Sequence, residues 1–114
     1  MKLSDVTRLD HRIAVYIPSQ QKDGTRVPNR DSMLLAVCDD LTALCGGVTV
    51  TDGFGVWKDS QGRHVRESVS IAESFTDSID SHKAAAVLAL AVKLKDDMRQ
   101  ESVAFQLDSS LFLA

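Results

Sequence analysis

Cysteine is nearly absent from this sequence, and the two that occur, Cys38 and Cys45, fall within one helical pattern. A helix would hold their Cα atoms about 10 Å apart at 1.5 Å per residue, too far for a disulfide. No further ligands stand near them, and His11, His64 and His82 are scattered, so no metal site, redox pair or cofactor is expected. Two small buried thiols are the simpler reading. Long apolar runs are missing as well: the longest, Ala84 to Val92, stops at Lys93, far short of the roughly 20 residues that span a bilayer. The opening MKLSDVTRLDHR lacks the apolar core of a secretory signal, so a cytoplasmic location without a membrane partner is expected. Basic charge is in deficit, with 13 Lys and Arg against 16 Asp and Glu and a net charge of −3. That balance argues against a nucleic-acid polymer as partner.

Catalytic signatures are also lacking. No Gly-x-Ser-x-Gly elbow occurs. The GFG at 53–55 runs into more strand, whereas a phosphate loop must open a helix whose N–H groups hold the phosphate. No catalytic residue is assigned, although Glu67 near His64 has the composition of an acid/base pair.

What is present is ordinary globular material, 44% hydrophobic and 25% charged, in 114 residues. One α+β domain is expected over 1–114, with an N-terminal extension at 1–11 and an apolar tail at 109–114. Ile13, Val15 and Ile17 alternate with Arg12, Ala14 and Tyr16 up to Pro18, the pattern of a strand. A polar loop follows, and Asn29 is placed to cap a helix whose apolar face is Leu34, Val37, Cys38, Leu41, Leu44 and Cys45, stopped by Gly46 and Gly47. From Val48 the period changes to two, giving a hairpin across KDSQGR with Val56 near Val65 and Val50 near Ile71. Glu67 and Glu73 then fall on the apolar side, so a bulge at Gly53 and Gly55 or a marginal position is expected for them. Asp80 or Ser81 caps a second helix with the stripe Ala84, Val87, Leu88, Ala91, Leu94 and Met98. Val103, Phe105 and Leu107 make a last strand, and Leu111 to Leu113 should pack on the body or a partner. The order β-α-β-β-α-β suits a ferredoxin-like fold, a four-stranded antiparallel sheet with two helices on one face.

The uncovered face would then carry Tyr16, Arg12, Thr49, Thr51, Trp57, His64, Arg66, Ser68 and Ser70. Trp57 could stack a small anionic ligand such as a nucleotide, with Arg66, His64, Arg63, Tyr16 and Arg12 around it. A solvated sheet face and self-association through that face are the competing readings.

Gly47, Thr49, Gly55, Trp57, Gly62, Arg66 and Glu67 form a pattern that resembles small uncharacterised bacterial and phage proteins. The resemblance implies a ferredoxin-like fold and no established activity, and it transfers no catalytic residue. The expectation is a non-enzymatic, homo-oligomeric binding protein, a phage anti-defence protein that sequesters a nucleotide-like signal. An interaction module that blocks or scaffolds a host protein, using the second helix and the tail, is the alternative, and a small ferredoxin-like enzyme is another.

Overall fold

A computed structural model describes all residues, 1–114. Residues 1–10 are an exposed extension with one 3-10 turn at Leu3–Asp5. The elements that follow are β1 (His11–Pro18), α1 (Arg30–Cys45), β2 (Thr49–Lys58), β3 (His64–Thr76), α2 (Ser81–Asp97), β4 (Ala104–Leu107) and β5 (Ser110–Leu113). They build one antiparallel sheet in the order β2-β3-β1-β4-β5. The sheet therefore has five strands where the sequence predicts four. The extra one comes from the apolar tail, which turns back at Asp108 (φ 55°) to pair with β4 and stack Phe112 on Phe105 at 5.2 Å. No helix is long and apolar enough to cross a membrane.

The core lies between the two helices and one sheet face. Ile13, Val15, Ile17, Ala72 and Phe105 contribute from the sheet, Val37 and Leu41 from α1, and Val87, Ala91 and Leu94 from α2. Helix α1 ends where expected, Gly46 adopting φ 97° and donating to the Thr42 carbonyl. Its start differs. Asn29 has the left-handed conformation (φ 55°), and its side chain makes no capping bond; the side chain of Arg30 ties this end down instead. On α2, Asp80 caps as expected, accepting from the Lys83 N–H at 2.8 Å. Leu88, expected in the stripe, is 48% exposed because the wide apolar face is only partly covered.

The largest departure concerns β3. Val56 pairs with Arg66, Trp57 with Val65, Val50 with Ala72 and Thr51 with Ile71, one residue away from the expected register. Paired residues of an antiparallel ladder share a face. Ser70, Ala72 and Ser74 therefore look into the helices, while Val65, Glu67, Val69, Ile71 and Glu73 look out beside Tyr16 and Trp57. The pairing runs unbroken through Gly53 opposite Val69 and Gly55 opposite Glu67, so neither glycine makes a bulge.

Buried hydroxyls explain why the serines can occupy the inner face: each has a partner. Ser70 Oγ accepts from Arg30 at 2.8 Å and donates to Asp52 at 2.8 Å, and Ser74 Oγ donates to the Gly47 carbonyl at 2.7 Å. Small side chains also let α1 approach the sheet. Ala72 is fully buried in this contact. Ala72→Leu should therefore overpack the layer and cost about 1–3 kcal/mol, whereas Ile71→Leu on the other face should cost under about 1.5 kcal/mol. Urea unfolding of both variants checks this, and equal losses would refute the register.

Candidate functional site

Strand β1 stops pairing at Pro18, which has no N–H to give, and the chain leaves the sheet with the next two amides unclaimed by the ladder. Those amides turn to Glu67. Its Oε2 accepts from the Ser19 N–H at 3.2 Å, the Ser19 hydroxyl at 3.1 Å and the Gln20 N–H at 2.8 Å. Three donors on one oxygen account for a carboxylate that is only 4% exposed in mid-strand. None of these bonds uses Oε1.

Across the ladder from Glu67 stands Gly55. The six-membered ring of Trp57 folds back over this glycine, its nearest carbon 3.2 Å from where a Cβ would be. Gly55 thus leaves room for the indole to lie beside the carboxylate. Trp57 is 41% exposed and shares the face with Val65, its cross-strand partner, and Val69. An aromatic plane, an anchored carboxylate and two half-buried valines make up the site.

Three of the basic residues expected around Trp57, namely Arg66, His64 and Arg63, are elsewhere. Arg66 pairs with Val56 and His64 with Lys58, which puts both on the opposite face. Glu67 and His64 consequently cannot act as one acid/base group. Their separation follows from alternation along β3 once its register is shifted. Arg63 lies in the turn, its N–H and Nε donating to Asp59 at 2.9 and 3.0 Å.

Tyr16 and Arg12 do occupy the open face but belong to a second polar group. Tyr16 OH donates to Gln106 at 2.6 Å, Arg12 donates to the same oxygen at 3.0 Å, and Arg12 ion-pairs with Glu73. This network flanks the buried Ala14, whose partners are Glu73 and Gln106. Tyr16 sits opposite Ile71, roughly 13 Å along β3 from Glu67 at about 3.3 Å per residue.

Both thiols are free, and burial pushes Cys38 and Cys45 up from the ordinary thiol value, which disfavours the nucleophilic thiolate. No group of three His, Cys, Asp or Glu side chains is placed to hold a metal ion. A groove of about 360 Å³ runs between the helices, lined by Leu41, Leu44, Val87 and Leu90 with Asp40 and Lys93 at its rim.

Comparison with solved structures gives a clear result. The chain is similar in fold to a phage SAM lyase. A structure of that enzyme in complex with S-methyl-5′-thioadenosine superposes with a TM-score of 0.72 at 15% identity, covering 96% of this chain and 94% of the other. A structure of a phage SAM lyase in the apo state gives 0.67 at the same identity and coverage. No family model matches the sequence, and no curated protein does. The likeness to the SAM lyase thus rests on the arrangement of helices and strands. It spans nearly the whole of both chains.

Two measurements check the site without any ligand. Trp57 is the single tryptophan, so its fluorescence reports the indole alone. Gly55→Ala should displace the ring and shift its emission to longer wavelength, with a stability change within about 1 kcal/mol; an unmoved spectrum would contradict the stacking of Trp57 on Gly55. The second concerns the turn that carries this ribbon. The Arg63 N–H foremost, then the Gln61 N–H and the Arg63 guanidinium, hold the Asp59 carboxyl below its ordinary value. A carboxyl depressed by folding stabilises above its unfolded pKa, and the contribution is lost as pH falls through the folded value. The melting-temperature gap between wild type and Asp59→Asn should be constant from about pH 7 to 5 and close below about pH 4. A gap persisting at about pH 2 would assign the loss to the turn's geometry and not to charge.

Proposed function

We propose that this protein binds S-adenosylmethionine (SAM) against Trp57 and Glu67 and cleaves it to S-methyl-5′-thioadenosine, working as a homo-oligomer. The observation that carries the reading is the sign of charge on the Trp57 face: a fixed carboxylate is there, and Arg66 and His64 are on the other side of the sheet. A cation fits such a face better than the anion expected from sequence. SAM supplies a sulfonium for the indole plane, an attraction of about 0.5–2 kcal/mol. It also supplies an adenine to stack and an ammonium for Glu67 to accept from. The likeness in fold to a SAM lyase with bound S-methyl-5′-thioadenosine supports this choice among cations.

The chemistry needs no partner that the site lacks. The bond between the sulfonium and the methionine Cγ breaks, with its electron pair going to sulfur to leave a neutral thioether. The methionine carboxylate attacks the same carbon and closes a lactone that keeps the ammonium. Atoms and electrons balance without water, metal or oxidant. Glu67 would hold the ammonium so that the carboxylate approaches in line with the leaving sulfur, which is catalysis by positioning.

A second copy would complete the site. Beyond the end of β1 the β2–β3 hairpin is a two-stranded ribbon, a form that is marginal alone. It exposes apolar groups on both faces, Phe54 at 69% and Val56 at 52% on one and Trp57 on the other. Burial of both faces between copies accounts for that composition. We read the fold as ferredoxin-like with β5 added at its edge, and the role as phage anti-defence, since removing SAM would withdraw the methyl donor from host systems that depend on it.

Incubating the purified protein with SAM and following S-methyl-5′-thioadenosine by chromatography tests the proposal. Turnover is expected, with Glu67→Gln slowing it about hundredfold and native mass spectrometry giving more than one copy. SAM bound but not consumed would favour sequestration. Neither binding nor turnover would overturn the reading and turn attention to the exposed Leu88 and Val92 of α2 as a docking face for a host protein.

A further inference from the structure

Arg30 is the first residue of α1 and lies on the helix side of the sheet, away from Trp57 and Glu67. Its guanidinium reaches back to the end of β1. Nε donates to the Pro18 carbonyl at 2.7 Å, and one terminal nitrogen donates to the Ile17 carbonyl at 3.1 Å and to Ser70 Oγ at 2.8 Å. Ser70 in turn donates to Asp52, so the guanidinium is braced from both β1 and β2.

The Pro18 carbonyl and the Ser19 N–H belong to one peptide unit. That unit is planar, with its C=O and N–H pointing in opposite directions. Arg30 therefore grips one end of the plane while Glu67 accepts from the other. Fixing the oxygen fixes where the hydrogen points. A cation on the carbonyl also polarises the amide and strengthens its donation to the carboxylate. The next unit, Ser19–Gln20, starts from this fixed plane and supplies the 2.8 Å bond to the same oxygen.

We propose that Arg30 is a positioning residue for Glu67, acting across the sheet edge through the Pro18–Ser19 peptide. It holds Oε2 committed to the backbone and leaves Oε1 to the ligand. The role rests on the SAM reading for its catalytic consequence, while the coupling itself can be tested without any ligand.

Hydrogen exchange of the full chain, resolved by residue, is the deciding measurement. Arg30→Gln should speed exchange at Ser19 and Gln20 about tenfold or more, leaving Ile13 to Ile17 as in the wild type. Arg30→Lys, able to hold one carbonyl, should fall between. Ser70→Ala, which leaves both carbonyl bonds in place, should stay near the wild type. In the double variant Arg30→Gln, Glu67→Gln, exchange at the two amides should be no faster than in Glu67→Gln alone, because both substitutions break one chain of bonds. Unchanged exchange in Arg30→Gln, or an equal rise along all of β1, would reduce Arg30 to a structural brace and overturn the proposal. With SAM, Arg30→Gln should lower kcat about tenfold while KM stays within about twofold, because Trp57 and Glu67 both remain on the face and only the aim of the carboxylate is loosened. A wild type that turns over no SAM would refute the lyase reading and leave the exchange result to decide on Arg30.

Discussion

The pairing of β3 against β1, with Ile17 opposite Ser70 and Val15 opposite Ala72, decides which side of the long hairpin faces the helices. Strand side chains alternate, so this one alignment sends every even-numbered residue of β3 inward along the core and every odd one to the open face. Glu67 reaches the Ser19 and Gln20 amides, Val65 comes beside Trp57, and Arg66 and His64 are carried to the far side. A slip of one residue would exchange those groups and reverse the charge around the indole. Ser70 and Ser74 support the alignment, since each has its hydrogen-bond partner in this register.

The order and limits of the elements were largely legible. Pro18 ends β1, Gly46 ends α1 and Asp80 opens α2, each through a local effect that needs no tertiary context. The face of β3 was not legible by the same logic. The rule that apolar groups go inward puts Val65 and Ile71 in the core and Ser70 on the surface. That rule gives way where helices press close to a sheet and small hydroxyls with local acceptors fit better than branched chains. Asn29 makes no capping bond, its backbone being left-handed where a capping residue is normally extended, and the Arg30 side chain ties down that end of the helix. Glu67 did leave a trace in the sequence, as a carboxylate at an apolar position opposite a glycine. Its amide partners could not be foreseen, since they lie across a chain separation that only the fold closes.

The tail shows how a strand hides from pattern reading. Leu111, Phe112 and Leu113 lack the alternation that marks β1, and a turn as short as Asp108-Ser109 gives little signal. Yet pairing with β4 and the stacking of Phe112 on Phe105 make it the fifth strand. The sheet thereby gains an edge without a charged residue, while the opposite edge, β2, carries Asp52 and Lys58. Charges on an edge discourage pairing with another chain.

Charge also separates the two polar groups of the open face. In the Arg12, Glu73, Gln106 and Tyr16 cluster, cation and anion neutralise each other across three strands, which stabilises the centre of the sheet and leaves little net field. At Glu67 the carboxylate is met only by neutral donors, and no cation is paired with it. Neutral amides hold a carboxylate in place without cancelling it. On the proposed reading, a cationic ligand would meet an anchored carboxylate beside an aromatic plane at this cluster and not at the other. Gly55, the neighbour of Glu67 across the ladder, leaves the indole its place: a Cβ there would meet the ring at 3.2 Å, and the ring would have to give way.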